Sequence, residues 1–249
     1  MISAKAKNKL INGDVLYGAI SPTFDPTICE YLGFAGLDFY MIDGEHGPLT
    51  VSDAIDMIRA CEGVGLSPWA RIRSVDDKLI LQYMDAGVVG VMMPSITKLS
   101  EVEELVNAMK YPPIGKRGLG PVRAADYLAG TLNQSQYINY ANDNTLVFPQ
   151  MEDIAFLDFI DDALQINGVD GIIIGPRDLA MSMGYYDGPA HPEVKEVMDL
   201  VFEKTKNAGK VIGTVAGNKD QAEALIQKGA QIILNSVQGL ITTGVKAFK

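Results

Sequence analysis

The stretch LDFYMIDGEH, Leu37 to His46, joins two kinds of sequence. Residues 37–42 are almost wholly apolar and lack strict alternation, which is typical of a parallel strand covered by helices. Asp43, Glu45 and His46 follow directly. A buried strand that ends in ionisable residues predicts an α/β fold with a polar site at its strand ends.

Similar apolar runs recur along the chain, each followed by an amphipathic stretch. They predict eight strands, at residues 15–20, 37–42, 68–72, 88–93, 145–151, 171–174, 211–215 and 231–234. Helices are predicted at residues 26–34, 51–62, 76–86, 99–110, 192–208, 219–228 and, weakly, 239–248. The polar stretch 111–144 is predicted to be an insertion.

Eight β-α repeats in 249 residues favour a (β/α)8 TIM barrel that forms a single domain over residues 1–249. A doubly wound open sheet is the alternative. Its phosphate-binding fingerprint, Gly-x-Gly-x-x-Gly, is absent after the first predicted strand.

Composition limits the classes of partner. The chain has 31 acidic and 21 basic residues and a net charge of -10, which argues against nucleic acid and anionic membranes as partners. No apolar stretch approaches the roughly 20 residues that span a bilayer, and no signal peptide is evident. We therefore expect a cytoplasmic protein in which Cys29 and Cys61 are buried free thiols.

Polar residues gather where predicted strands end, and in a barrel these ends share one rim. They are Asp43, Glu45, His46, Arg71, Gln150, Glu152, Arg177 and Asp178. Each also has a purely structural interpretation, since carboxylates cap helices and arginines form salt bridges. Taken together at one rim, they indicate an active site.

The residue types at this rim suit metal-assisted chemistry. Glu152, Asp178 and Gln150 offer the oxygen ligands that Mg²⁺ or Mn²⁺ prefers. A cation together with Arg71 would stabilise negative charge on a substrate oxygen. His46 would serve as the general base.

Five motifs in order resemble the HpcH/HpaI aldolases, the metal-dependent class II pyruvate aldolases typified by 4-hydroxy-2-oxoheptanedioate aldolase. The motifs are FYMIDGEHGP (39–48), DAGVVGVMMP (85–94), YPPIGKRG (111–118), QME (150–152) and VDGIIIGPRDLAMSMGY (169–185). The match covers roughly residues 10–235. The resemblance implies aldol cleavage of a 4-hydroxy-2-oxo acid to pyruvate and an aldehyde.

The resemblance also implies a homo-hexamer, a trimer of dimers whose C-terminal helix is exchanged between partners. It implies a divalent metal ion held by Glu152 and Asp178, with Mg²⁺ or Mn²⁺ favoured and Co²⁺ a further candidate. Gln150 would lie near this metal. Backbone groups around Gly175 and Pro176 would hold the pyruvyl carboxylate.

Arg71 matches the family arginine that steadies the enolate oxygen, and His46 matches the family base. Asp85 matches an aspartate that pairs with this histidine. The barrel places Asp85 at the opposite rim, so it would reach a histidine only across a subunit contact. Asp43 would lie near Arg71 or a metal-bound water, and the small Gly44 and Gly47 are expected to leave room for substrate.

The chain departs from the family pattern before the metal aspartate, where Arg177 replaces a small or neutral residue. This second arginine would favour an acidic aldehyde or a carboxylated substrate. Two other functions stay open at this point. One is a related carbon–carbon lyase, such as a citryl- or malyl-CoA lyase or a decarboxylase, and the other is a non-catalytic barrel that binds a 2-oxo acid.

Overall fold

Eight parallel strands close into a barrel in the order β1 to β8, in a computed structural model that describes residues 2–249. The strands are β1 (Leu16–Ser21), β2 (Phe39–Asp43), β3 (Ser67–Arg71), β4 (Gly90–Met93), β5 (Leu146–Met151), β6 (Gly171–Ile174), β7 (Val211–Val215) and β8 (Ile232–Ser236). Parallel pairing of β1 with β8, beginning at Leu16 and Ile232, completes the barrel. The predicted (β/α)8 fold is confirmed.

Helices surround the strands. They are α1 (Lys5–Ile11), α2 (Pro26–Phe34), α3 (Val51–Gly63), α4 (Asp77–Ala86), α5 (Leu99–Met109), α6 (Gln134–Asn144), α7 (Ile160–Gln165), α8 (Pro176–Ser182), α9 (Pro192–Asn207), α10 (Lys219–Lys228) and α11 (Val237–Phe248). Short 3₁₀ segments occupy Arg123–Leu128 and Ile154–Asp158. Within residues 2–249, no helix is long and apolar enough to cross a membrane.

Aromatic side chains fill the barrel interior below the rim. The rings of Phe39 and Trp69 stack at 4.1 Å, and those of Trp69 and Phe148 at 5.3 Å. Glycine at two strand positions makes room for them, because a Cβ at Gly18 would lie 2.3 Å from Phe39 and one at Gly90 would lie 2.6 Å from Trp69. The packed interior leaves the C-terminal ends of the strands as the place for a site.

The helix α1 packs against the other end of this core, through Ile2, Ala6 and Leu10 of the N-terminal segment. Lys9 Nζ lies 2.7 Å from the Asp38 carboxylate, which also accepts the backbone N–H of Tyr17 at 3.0 Å. No helix was predicted at residues 5–11 from the sequence.

The stretch 111–144 contains more regular structure than predicted, since α6 and a 3₁₀ segment lie within it. The first turn of α6 carries a capping box, in which Asn133 and Gln136 exchange hydrogen bonds of 3.0 Å. The Asn-x-x-Gln spacing at residues 133–136 was the feature of the sequence that could have predicted the start of α6. Cys29 and Cys61 are buried free thiols, as predicted.

Candidate active site

A pocket of about 330 Å³ opens at the C-terminal ends of the strands. Its polar lining includes His46, Arg71, Gln150, Arg177 and Asp178. These residues come from four strand ends that are far apart in sequence. The barrel therefore brings most of the predicted site residues together at one mouth.

A buried ion pair links the ends of β2 and β3. Arg71 donates from Nε to Asp43 Oδ1 at 3.0 Å and from Nη2 to Oδ2 at 2.6 Å. Burial alone raises the pKa of Asp43, but the hydrogen bonds and charge of Arg71, with the backbone N–H groups of His46 and Glu45, lower it overall. Asp43 is therefore an anion that fixes the orientation of the Arg71 guanidinium.

Glu45 provides a second carboxylate beside this guanidinium. Its Oε2 lies 3.1 Å from Arg71 Nη1 and 3.8 Å from His46 Nε2. Burial raises the pKa of Glu45, and the positive charge of Arg71 only partly offsets this effect. The imidazole of His46 is itself exposed at the pocket mouth. Glu45 was predicted to lie at this rim, but the sequence assigned it no catalytic, substrate-binding or metal-binding role.

Gly44 and Gly47, in the loop that follows β2, were expected to leave room for substrate, but they have a different role. A Cβ at Gly44 would lie 2.9 Å from Tyr83 Oη and 3.0 Å from the Arg71 carbonyl oxygen, and one at Gly47 would lie 2.3 Å from the Pro22 carbonyl oxygen. Protein atoms thus occupy the space beside both glycines, and the expectation that they leave room for substrate is wrong. They allow the loop to pack closely against its neighbours.

Glu152 is held at the end of β5 by two neighbours. Ser95 donates its backbone N–H to Glu152 Oε1 at 2.7 Å, and Gln150 Nε2 donates to Oε2. Ser95 has φ of 56°, a left-handed conformation that is uncommon outside glycine and concentrated at functional sites. Ser95 was not predicted from the sequence, because it contributes a backbone N–H group that any residue type could supply.

The protonation of Glu152 reflects this environment. Burial raises its pKa to about 7, and the negative charges of Glu45 and Asp178 add to the effect, while the Ser95 N–H and Arg71 oppose it. A positive charge close to Glu45, Glu152 and Asp178 would therefore stabilise the ionised form of Glu152.

These residues fit a divalent cation. Gln150 Oε1 is buried without a hydrogen-bond partner, and Glu152 lies among like charges that a cation would relieve. A Cβ at Gly175 would lie 2.4 Å from Gln150 Nε2 and 2.9 Å from Glu152 Cβ, so glycine leaves room for these two side chains beside it. Across residues 2–249, no group of three or more His, Cys, Asp or Glu has metal-site geometry. Mg²⁺ and Mn²⁺ suit such a site because they often bind one or two carboxylates and keep several waters.

The backbone donors near Gly175 are more restricted than expected. The N–H of Gly175 donates to the Met151 carbonyl at 2.9 Å, and Pro176 has no N–H. The next donors are the N–H groups of Arg177 and Asp178 in the first turn of α8, which have no acceptor within their own helix. These are the backbone groups that can receive a substrate carboxylate.

Asp85 lies outside the pocket lining, at the end of α4. Its Oδ1 accepts a hydrogen bond of 2.8 Å from Nη2 of Arg117, whose side chain is fully buried. Arg117 in turn lies over the Tyr111 ring, 4.6 Å from its centroid. The structure does not bring Asp85 and His46 together within one chain.

The fold and this site together define an enzyme of the (β/α)8 class, with charged side chains of both signs at the mouth of its barrel. A model of the HpcH/HpaI aldolase/citrate lyase family matches residues 17–242. The chain belongs to this family, and it is a carbon–carbon lyase.

Named relatives agree with this assignment. The chain is 30% identical to the 2-keto-3-deoxy-L-rhamnonate aldolase of Escherichia coli K12, covering 97% of this chain and 90% of the relative. It superposes on the crystal structure of an HpcH/HpaI aldolase from Desulfitobacterium hafniense DCB-2 with a TM-score of 0.89, at 28% identity over 98% of this chain and 96% of the other. The citrate synthase SbnG gives a TM-score of 0.88 at 27% identity, covering 98% and 96%. The two aldolases among these relatives favour an aldolase over a non-catalytic barrel.

Proposed function

We propose that the protein cleaves a 4-hydroxy-2-oxo acid to pyruvate and an aldehyde, and condenses them in reverse. The observation that carries the proposal is the fixed guanidinium of Arg71, held by Asp43 at 2.6 and 3.0 Å beside the buried Glu152. Cleavage of the carbon–carbon bond between C3 and C4 turns the pyruvate half into an enolate. The reaction therefore needs a positive charge close to the enolate oxygen. The relatives in Escherichia coli are named for a 2-keto-3-deoxy acid.

Glu152 and Asp178, with Gln150 nearby, would hold Mg²⁺ or Mn²⁺, and Co²⁺ is a further candidate. When bound, this cation would supply positive charge to the oxygens of the oxo acid. Gly175 leaves room for the side chains of Gln150 and Glu152 at the base of the site. The first-turn N–H groups of Arg177 and Asp178 would orient the substrate carboxylate.

Arg71 and His46 would have separate roles, stabilisation of the enolate oxygen and proton transfer. Arg71 donates hydrogen bonds to the oxygen on which charge develops, and it is already oriented, so little reorganisation is needed. His46 takes the proton of the 4-hydroxyl group as the carbon–carbon bond breaks. Glu45 Oε2, 3.8 Å from His46 Nε2, would hold the imidazole ring in place for this step.

We also propose that one domain over residues 1–249 assembles into a trimer of dimers in the cytosol, with α11 exchanged between partners. Four apolar side chains of α11 are exposed in the single chain, namely Leu240, Ile241, Val245 and Phe248, and Phe248 is 92% exposed. An interface would bury them. Asp85 would then approach the His46 of another subunit.

The reaction is tested by pyruvate release from racemic 4-hydroxy-2-oxo acids. We expect release by the purified protein to fall at least a hundredfold after a chelator removes divalent ions, because charge stabilisation of the oxo acid is lost. Added Mg²⁺ or Mn²⁺ should restore it, and a chelator already saturated with Mg²⁺ is the matched control. Release that is unaffected by full metal removal would contradict the proposal.

A further inference from the structure

Arg177 differs from most arginines of the chain because it has no carboxylate partner. Four arginines form ion pairs with carboxylates of the same chain, namely Arg59, Arg71, Arg117 and Arg123. No such pair within residues 2–249 involves Arg177, although it is exposed and lines the active-site pocket. An arginine at the mouth of a pocket that forms no ion pair within the chain can bind an anionic group of a substrate.

The pocket has two unlike walls. Arg71 and Gln150, from β3 and β5, lie on the wall where the oxo acid is proposed to bind. The opposite wall comes from the ends of β7 and β8. It has no charged side chain, and its residues are Val215, Ala216, Gly217, Leu234, Asn235 and Ser236. Arg177 stands at the edge of this uncharged wall, because β6 lies next to β7 in the barrel.

Asn235 adds a neutral donor to this wall. Its Oδ1 accepts the backbone N–H of Ser236 at 2.8 Å, which leaves the amide N–H₂ group for other acceptors. An anion that entered here without a countercharge would face the carboxylate of Asp178, which lines the same pocket, in a chain of net charge -10. Arg177 supplies the countercharge where the far end of a bound acceptor would lie.

We propose that Arg177 selects acceptor aldehydes that carry an anionic group at the end remote from the carbonyl. This inference rests on the proposed aldolase function and assigns a specificity to it. Carboxylate and phosphate share the chemistry, since the guanidinium fork can bind two oxygens of either group. The backbone N–H groups of Arg177 and Asp178 are proposed to orient the carboxylate of the pyruvate half. The guanidinium at the end of the exposed Arg177 side chain, next to the uncharged wall, is therefore assigned to the acceptor half.

The test measures condensation of pyruvate with three aldehydes of matched length, ending in a carboxylate, a phosphate or a hydroxyl group. We expect the wild type to favour at least one anionic aldehyde by about 10- to 100-fold in kcat/KM, the usual range for a charge-assisted hydrogen bond. The carboxylate and phosphate arms identify which anion is recognised. Arg177→Ala should bring the ratio of anionic to neutral aldehyde close to one, and Arg177→Lys should retain part of it.

Arg59→Ala is the matched control, because it removes an exposed arginine that pairs with Asp56 on α3, outside the pocket lining. It should keep the wild-type ratio. A wild-type ratio near one, or an unchanged ratio in Arg177→Ala, would overturn the assignment of Arg177 while leaving the aldolase function intact. A wild type that condenses no aldehyde with pyruvate would overturn both.

Discussion

Replacing Arg71 with alanine is expected to slow enolisation of pyruvate by about a hundredfold or more. The guanidinium is the donor held in place before substrate arrives, and loss of one such donor typically costs about 3 kcal/mol in the transition state. The measurement is exchange of the pyruvate methyl protons with deuterium oxide, because it requires enolate formation and no aldehyde. Exchange at the wild-type rate would assign Arg71 a purely structural role.

The same substitution also removes the partner of a buried carboxylate, since Asp43 is 3% exposed. Breaking a buried ion pair costs about 3–5 kcal/mol of unfolding free energy, so stability and catalysis fall together. The double variant Asp43→Asn, Arg71→Ala separates the two effects. It should regain part of the stability in urea unfolding but none of the exchange rate. If it recovered exchange, the defect of Arg71→Ala would come from folding alone.

Replacing Glu152 with glutamine is expected to abolish metal-dependent turnover while the chain stays folded. The charge that a cation needs is lost, although Ser95 and Gln150 still surround the side chain. Turnover is measured as pyruvate release at saturating Mg²⁺ or Mn²⁺. Glu103→Gln, an exposed position on α5, removes the same charge elsewhere and should keep activity. Near-normal turnover by Glu152→Gln would exclude this residue as a ligand.

The pH dependence of stability gives Glu152→Gln a second readout that needs no substrate. Burial and neighbouring carboxylates raise the pKa of Glu152 from 4.5 to about 7 in the folded protein. The folded state therefore binds this proton more tightly than the unfolded state, and stability falls as pH rises from 4.5 through 7. Without metal at pH 8, the glutamine variant should be more stable than the wild type by about 3 kcal/mol. The difference should shrink toward pH 5.

The sequence was sufficient to predict the barrel and the strand ends that carry the site. Its strands are continuous apolar runs, and several of them end at or next to a polar residue that the structure places on the rim, as at Asp43 and Arg71. The C-terminal ends of parallel strands must meet at one edge, so residues distant in sequence could be assigned to one pocket. The five motifs of the family supplied the roles that patterning could not.

What escaped prediction depends on local geometry that side-chain types do not encode. Ser95 acts through its backbone N–H, and its left-handed conformation has no marker in the sequence. The helix α6 is polar on most of its surface, so only its capping box indicated it. The partner of Asp85 is Arg117, a contact between residues on separate elements that only the packed structure reveals.

The central claim is that this barrel forms the enolate of pyruvate with the help of a divalent cation. The most direct measurement follows the methyl signal of pyruvate by NMR in deuterium oxide, with wild-type protein and no aldehyde. We predict exchange with Mg²⁺ or Mn²⁺ present, loss of exchange after metal removal, and recovery when the ion is returned. Exchange that persists at the same rate without metal, or no exchange under any of these conditions, would contradict the account.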